Sequence, residues 1–196
     1  MNPKLEQNPC DDGTMSLFDH LTELRSRLVK SLGTILLFFI VALCFSTEIL
    51  NFLKLPLGKV SAISQNPALH FTSPVDVFLT SIKVSFLTSF ICSCPVWIYH
   101  FWKFIEPALY KEERKWILPF IISSIGLFLS GILLCYFIIL PMALDFLISW
   151  GLEVGTPMIT VTEYTSLLTL MIIGFGLAFE SPLILVLLSV LNLVNS

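Results

Sequence analysis

The chain has 196 residues, of which 56% are hydrophobic and only 13% are charged, and its mean hydropathy is +0.88. A soluble globular domain normally has a charged fraction of about 25%, so the composition argues against one. A net charge of −3 and a pI near 5.5 argue against a nucleic-acid partner. Apolar runs long enough to cross a bilayer instead place the chain among integral membrane proteins.

The N-terminal segment is the most polar part of the chain. Its first fifteen residues, "MNPKLEQNPCDDGTM", lack the basic start and apolar core of a cleaved signal peptide. We therefore expect a disordered tail over 1–15, followed by a single transmembrane domain over 16–196. From Leu17 to Leu32, leucines recur at three- and four-residue steps opposite polar side chains. This stripe predicts a short amphipathic helix on the cytoplasmic membrane surface that leads into the first span.

Four apolar segments are long enough to cross the hydrocarbon layer, which is about 30 Å thick. They cover about 31–50, 75–98, 116–140 and 164–191. Their interior prolines and glycines predict kinks. The sequence therefore predicts an all-α polytopic membrane protein whose kinked helices form a curved, concave wall.

The lysines and arginines between these spans indicate the topology. The four stretches before spans one, two, three and four contain four, two, four and none, respectively. By the positive-inside rule, the N-terminus and the connection at 99–115 face the cytoplasm.

Sequence patterns for metal binding or catalysis are missing. The five cysteines are an odd number with no CxxC spacing, and the three histidines form no HExxH pattern. No P-loop or GxSxG pattern is present either. We therefore expect no metal site, no cofactor and no enzymatic activity.

Two charged residues fall within the spans. Glu180 lies near the middle of the fourth span, in "LMIIGFGLAFESPLILVLL", where a carboxylate facing lipid is costly. We expect it to face a hydrated cavity or a partner helix, or to bind a Ser or Thr of a neighbouring span. Lys83 in the second span can snorkel to the surface or pair. A small-solute or ion carrier that uses Glu180 and Lys83 is the alternative function, although further charges and an internal repeat are missing.

Four segments occur in a characteristic order: "HLTELRSRL", "SPVDVFLTSIKVSF", "FIEPALYKEERKW" and "FGLAFESPLILVLL". Together they resemble the TatC family, the multispanning receptor subunit of the twin-arginine protein translocase. The resemblance covers 16–194. Family members continue past the fourth span with two shorter spans, so we expect this chain to be an engineered or a natural fragment.

The resemblance implies a function in protein export. The chain would bind twin-arginine signal peptides on its cytoplasmic face and recruit single-span Tat partner subunits into an oligomeric complex. Transport of folded proteins would be driven by the proton-motive force, without a nucleotide. The expected location is the bacterial plasma (inner) membrane rather than a thylakoid membrane.

The resemblance also implies binding residues. Glu23 and Glu113 match the family's twin-arginine recognition glutamates, and carboxylates suit guanidinium groups because the two pair through a fork of hydrogen bonds. Arg25 falls in the same motif and is expected to hold Glu23 in place. The alternative is that Glu23 only pairs with Arg27 at i, i+4, and that Glu113 is solvated among basic neighbours. Glu180 matches a family glutamate as well. Four further matches are expected to determine shape and packing: Pro56, Pro95, Phe104 and Tyr136.

Overall fold

The fold is mainly helical in the part of the chain that the structure, a computed structural model, describes: residues 17–59, 69–106, 116–153, 155 and 158–190. The helices are α1 (Leu17–Cys44), α2 (Ser46–Leu53), α3 (Pro74–Cys92), α4 (Cys94–Ile105), α5 (Ile117–Leu134), α6 (Leu140–Leu152) and α7 (Val161–Val190). A π-helical segment, Cys135–Ile139, joins α5 to α6, and a 3-10 turn covers Leu57–Lys59. These ranges contain no β-strand, which confirms the all-α class.

Four helical stretches are long and apolar enough to cross a membrane, as the sequence predicts. They are Thr22–Cys44, Pro74–Cys92, Ile117–Leu152 and Val161–Leu187. The third of these runs through α5, the π-helical segment and α6. Pro141 follows that segment and cannot donate a backbone hydrogen bond, which accounts for a local change in helix pitch at this point.

The expected surface helix and first span form one unbroken helix, α1. No proline interrupts 17–44, and a side chain added at Gly33 would meet nothing within 4 Å. The predicted first span of 31–50 differs from the structure at its other end, because α1 stops before Phe45 and the short helix α2 begins at Ser46.

The predicted second span of 75–98 is two helices that meet at Ser93. Pro95 lies in the first turn of α4, where its missing N–H leaves no helical hydrogen bond unmade. The Ser93 hydroxyl and the Trp97 indole N–H both donate to the Phe90 carbonyl, each at 3.2 Å. These bonds satisfy a carbonyl in the last turn of α3, where helical donors run out.

The other interior prolines do not end their helices. Pro119 lies in the first turn of α5, and α7 continues through Pro182. A capping box starts α3, where Ser73 N–H donates to Asp76 at 3.0 Å and Val75 N–H donates to Ser73 at 3.3 Å.

Close helix packing in the membrane-spanning part involves α5 and α7. A methyl group added at Gly131 would lie 2.9 Å from the Phe175 carbonyl oxygen, and one at Gly176 would lie 2.8 Å from the Phe128 ring. Small residues allow backbones to approach in this way where lipid supplies no hydrophobic driving force. The two glycines therefore set the separation of the helices that hold Ser124 and Glu180.

Candidate functional site

Glu23 and Arg27 form an ion pair one helical turn apart on α1. Arg27 Nε donates to Glu23 Oε1 at 3.0 Å, and Nη2 donates to the same oxygen. The Arg27 side chain is 18% exposed and that of Glu23 is 30% exposed. The acid lies N-terminal to the base, which is the favourable order for an i, i+4 pair. The pairing that the sequence offers as an alternative for Glu23 is thus present.

An apolar cavity of about 260 Å³, here called the α1–α4 cavity, adjoins this pair. Most of its wall is aliphatic or aromatic, and its polar members are Arg27, Ser31 and His100. Its lining consists of Leu24, Arg27, Leu28, Ser31, Leu32, Ile35, Phe90, Trp97, His100, Phe101 and Phe104. A carboxylate bound to a guanidinium therefore lies at one side of a recess that suits apolar side chains.

The wall formed by α3 and α4 is fixed by an aromatic cluster at the Ser93 break. Phe90 stacks on Trp97 with ring centroids 5.1 Å apart, and Trp97 meets Phe128 edge-on at 5.3 Å. Because Gly176 leaves room for the Phe128 ring, packing between α5 and α7 supports this cluster. The direction of α4, and with it the position of His100, follows from these contacts.

His100 lies in α4, outside the four membrane-crossing helices. Its Nδ1 is buried without a hydrogen-bond partner in the described part of the chain. Burial, then the nearby Arg27 and Lys30 cations, lowers the pKa of His100 below its ordinary value of 6.5. The imidazole is accordingly neutral at neutral pH.

Of the other two predicted signal-binding residues, the structure describes only Arg25. Glu113 falls in 107–115, outside the described residues. Arg25 is exposed on α1, and the guanidinium that holds Glu23 is that of Arg27. The expectation that Arg25 holds Glu23 in place therefore stays a prediction. Arg27 forms the ion pair with Glu23 that the sequence analysis gave as an alternative.

The predicted shape residues are distributed over both halves of the molecule. Phe104 lines the α1–α4 cavity, and Pro95 starts α4 beside it. Pro56 is buried just after α2, and Tyr136 is buried in the π-helical segment. The structure thus brings Phe104 close to Arg27 and places Tyr136 at a second cavity.

This second cavity, the α2–α7 cavity, has a volume of about 500 Å³. Its lining consists of Glu48, Ile49, Phe52, Leu53, Thr88, Ile91, Ile132, Leu133, Tyr136, Phe137 and Ile172. Two tyrosines, Tyr136 and Tyr164, hold α2 against it: the Tyr136 hydroxyl donates to the Phe52 carbonyl at 2.6 Å, and the Tyr164 hydroxyl donates to the Leu53 carbonyl. Both carbonyls belong to the last turn of α2, and the Phe52 carbonyl also accepts from the Leu55 N–H at 3.1 Å.

Glu180 is buried between α5 and α7. Its Oε2 accepts a hydrogen bond from the Ser124 hydroxyl at 2.6 Å, while Oε1 is buried with no partner in the described residues. Ser124 is only 1% exposed, so this bond is shielded from lipid and water. The Ser or Thr partner that the sequence offers as one alternative is confirmed, and half of the carboxylate still has acceptor capacity.

Lys83 on α3 contacts α7, the fourth membrane-crossing stretch. Its Nζ donates to the Ser166 hydroxyl at 3.3 Å, and the side chain is exposed. Ser166 and Glu180 are fourteen residues apart on α7, which is about 21 Å along a helix. The two intramembrane charges are therefore separate sites.

Sequence reasoning missed several residues that contact these sites. Ser124, Tyr164, Trp97 and His100 carry no motif. The hydrogen-bond partners of Ser124 and Tyr164 lie 56 and 111 residues away in the sequence. For metal binding, the described ranges contain no group of three or more His, Cys, Asp or Glu side chains close enough to hold an ion.

Comparisons with known proteins point to one family. The family described as "Sec-independent protein translocase protein (TatC)" matches residues 19–196. A TatC protein of Campylobacter jejuni is 38% identical over 179 residues, covering 90% of this chain and 72% of the relative. One of Aquifex aeolicus is 39% identical over 173 residues, covering 87% of this chain and 71% of the relative. One of Desulforapulum autotrophicum is 35% identical over 177 residues, covering 90% of this chain and 65% of the relative.

Solved structures agree with these matches. A crystal structure described as that of the twin arginine translocase receptor TatC superposes with a TM-score of 0.80 at 36% identity, covering 90% of this chain and 77% of that one. A second, determined in DDM, gives a TM-score of 0.79 at 37% identity, covering 90% and 78%. The chain spans between 65% and 72% of the three relatives' own lengths.

Proposed function

This chain belongs to the TatC family, the receptor component of the Sec-independent twin-arginine translocase, and we propose that it binds twin-arginine signal peptides through Glu23 and Glu113. It is a multi-pass membrane protein and a non-enzymatic translocase component.

The observation that carries the proposal is the guanidinium held by Glu23. The carboxylate binds Arg27 Nε and Nη2 through one oxygen, so its position on α1 suits a planar, forked donor. A signal arginine presents the same group. Hydrogen bonds to charged partners contribute about 1.5–3 kcal/mol each, so losing one such contact weakens binding about tenfold or more. Glu113 is proposed as the second acceptor from the family resemblance.

The α1–α4 cavity supports a place for the apolar part of the signal. The cavity adjoins Arg27 and is lined mainly by leucine, isoleucine and aromatic side chains. An apolar segment that follows an arginine pair can bury side chains here while its arginines stay at the membrane surface. We assign this end of α1 to the cytoplasm, since arginine and lysine residues cluster before the first span and in the connection at 99–115, which lies on the same side.

Glu180 supports a second role, in recruiting single-span Tat partner subunits. Its Oε1 lacks a partner in the described residues, and a buried acceptor gains from a donor on a neighbouring helix. The bacterial inner membrane, an oligomeric complex and transport driven by the proton-motive force complete the proposal, as the family implies.

The carrier alternative finds less support. Lys83 is bound to Ser166 and Glu180 to Ser124, and these pairs lie about 21 Å apart along α7. A relay would need polar groups between them. The two described cavities are instead lined mainly by apolar side chains.

The test is binding of a fluorescent twin-arginine signal peptide to the chain in lipid nanodiscs, beside a twin-lysine peptide. Glu23→Gln and Glu113→Gln are each expected to weaken twin-arginine binding about tenfold and to reduce the margin over the lysine peptide. Glu48→Gln is the matched control, because it removes the same charge from exposed Glu48 on α2. Equal binding of the two peptides by the unsubstituted chain would refute the proposal.

A further inference from the structure

Arg27 occupies the carboxylate that we assign to a signal arginine. We infer that Arg27 is an internal competitor for this site: its guanidinium binds Glu23 until a signal peptide displaces it, and it takes Glu23 back when the peptide leaves. The inference rests on the proposed function of Glu23. It assigns Arg27 a role in setting how tightly, and for how long, a signal peptide is held.

The geometry makes the competition direct. Arg27 Nε lies 3.0 Å from Glu23 Oε1, and Nη2 bonds to the same oxygen. A guanidinium from a peptide needs the same carboxylate in the same plane. Both groups have the same chemistry, so the exchange replaces one charge-assisted pair by another and its net gain is smaller than that of binding to an unoccupied carboxylate.

The surroundings make the internal pair harder to break than an ordinary surface pair. Water screens a fully exposed i, i+4 pair, but here the arginine side chain is 18% exposed and lines an apolar cavity beside Leu24 and Leu28. Arg27 is therefore held near Glu23 by packing as well as by charge.

A displaced Arg27 finds no replacement acid among the described residues that line the cavity. Those residues include no aspartate or glutamate, and the cations that depress the His100 pKa are Arg27 itself and Lys30. Displacement therefore leaves Arg27 in a less favourable setting, and its return to Glu23 promotes release of the peptide. A receptor that must pass its substrate on benefits from such a built-in means of release.

The experiment measures association and dissociation of the twin-arginine and twin-lysine peptides with the full chain in nanodiscs. Arg27→Gln is expected to tighten twin-arginine binding by about threefold or more, chiefly through slower dissociation. The lysine peptide is expected to gain less, because an ammonium gains less from the Glu23 carboxylate. Arg27→Lys keeps the charge but loses the fork, so it should give a smaller gain in the same direction.

Two controls separate competition from a general charge effect. Lys30→Gln removes a cation one turn away on α1 and should change binding of both peptides by the same small factor. In a Glu23→Gln background, Arg27→Gln should increase twin-arginine peptide affinity by no more than Lys30→Gln does, because the carboxylate for which Arg27 competes is absent.

The outcomes distinguish this inference from the proposed function. If Glu23→Gln leaves twin-arginine binding unchanged, the proposed function of Glu23 fails. If Glu23→Gln weakens binding but the two Arg27 variants leave it unchanged or weaken it, only the competition is refuted. The competition is also refuted if Arg27→Gln increases the affinity for both peptides equally and does so in the Glu23→Gln background as well. Such an increase would reflect long-range charge alone.

Discussion

The hydroxyl of Ser124 on α5 donates a 2.6 Å hydrogen bond to the carboxylate of Glu180 on α7, joining two helices within the membrane-spanning part. Glu180 is 9% exposed and its second oxygen has no partner in the described residues. The bond thus supplies the contact that makes a carboxylate tolerable at this depth.

Ser124→Ala is predicted to destabilise the chain by about 1–3 kcal/mol, because it leaves both oxygens of a buried carboxylate unpaired. Thermal unfolding in detergent measures the effect. Ser123→Ala is the matched control, since Ser123 is exposed on the same helix and its loss should change little. Equal effects of the two substitutions would show that the Ser124–Glu180 bond is unimportant.

Tyr136 and Tyr164 are predicted to hold α2 in place through their hydroxyl groups. Tyr136→Phe and Tyr164→Phe each remove a donor to the last turn of α2 and should cost about 1 kcal/mol. The double variant should increase hydrogen exchange in 46–53 while leaving α5 protected. Tyr99→Phe is the control, because Tyr99 is exposed on α4. A similar increase in hydrogen exchange of 46–53 in this control would contradict the role of the two tyrosine hydrogen bonds.

Gly131→Ala and Gly176→Ala are predicted to force α5 and α7 apart. The added methyl groups would lie 2.9 Å from the Phe175 carbonyl oxygen and 2.8 Å from the Phe128 ring. Overpacking of this kind costs about 1–3 kcal/mol. Gly126→Ala and Gly174→Ala, which meet nothing within 4 Å, should be neutral or stabilise by up to about 1 kcal/mol through helix propensity. Unfolding midpoints of the four variants measure these effects. If the Gly131 and Gly176 variants unfold at the same midpoints as the Gly126 and Gly174 variants, α5 and α7 are not closely packed at these glycines.

Acidification is predicted to weaken the contact between α1 and α4 through His100. The pKa of His100 is lowered in the folded protein by burial and by the cations Arg27 and Lys30. The unfolded chain therefore binds this proton more readily, so stability is full above pH 6.5 and declines as the pH falls from 6.5 to the lower folded pKa. His100→Asn should flatten this part of the profile when unfolding is followed between about pH 8 and about pH 5. The His100 account fails if the variant keeps the slope of the unsubstituted chain.

Features encoded by nearby residues were predictable from the sequence. The four membrane-crossing stretches follow from apolar run length, and the capping box at Ser73 and Asp76 follows from a four-residue pattern. The Glu23–Arg27 pair was predictable as an alternative because i, i+4 neighbours meet on any helix.

Features that depend on distant partners were not predictable. The helix break at Ser93 depends on Trp97 and on packing against Phe128, and the separate helix α2 depends on Tyr136 and Tyr164. A proline alone gives no such information: Pro95 begins a new helix, whereas α7 continues through Pro182. Within the candidate site, His100 carries no motif, and only the fold brings it to the cavity beside Arg27.

The central claim is that a signal arginine pairs with Glu23, and a double-mutant cycle tests it most directly. Peptides with two arginines, with either arginine replaced by lysine, or with both replaced would be titrated against the unsubstituted chain and Glu23→Gln. One of the two single replacements should cost about tenfold in the unsubstituted chain and little in the variant, a coupling of about 1 kcal/mol or more. If every peptide replacement costs the same with and without the Glu23 carboxylate, the arginines do not contact it and the account is contradicted.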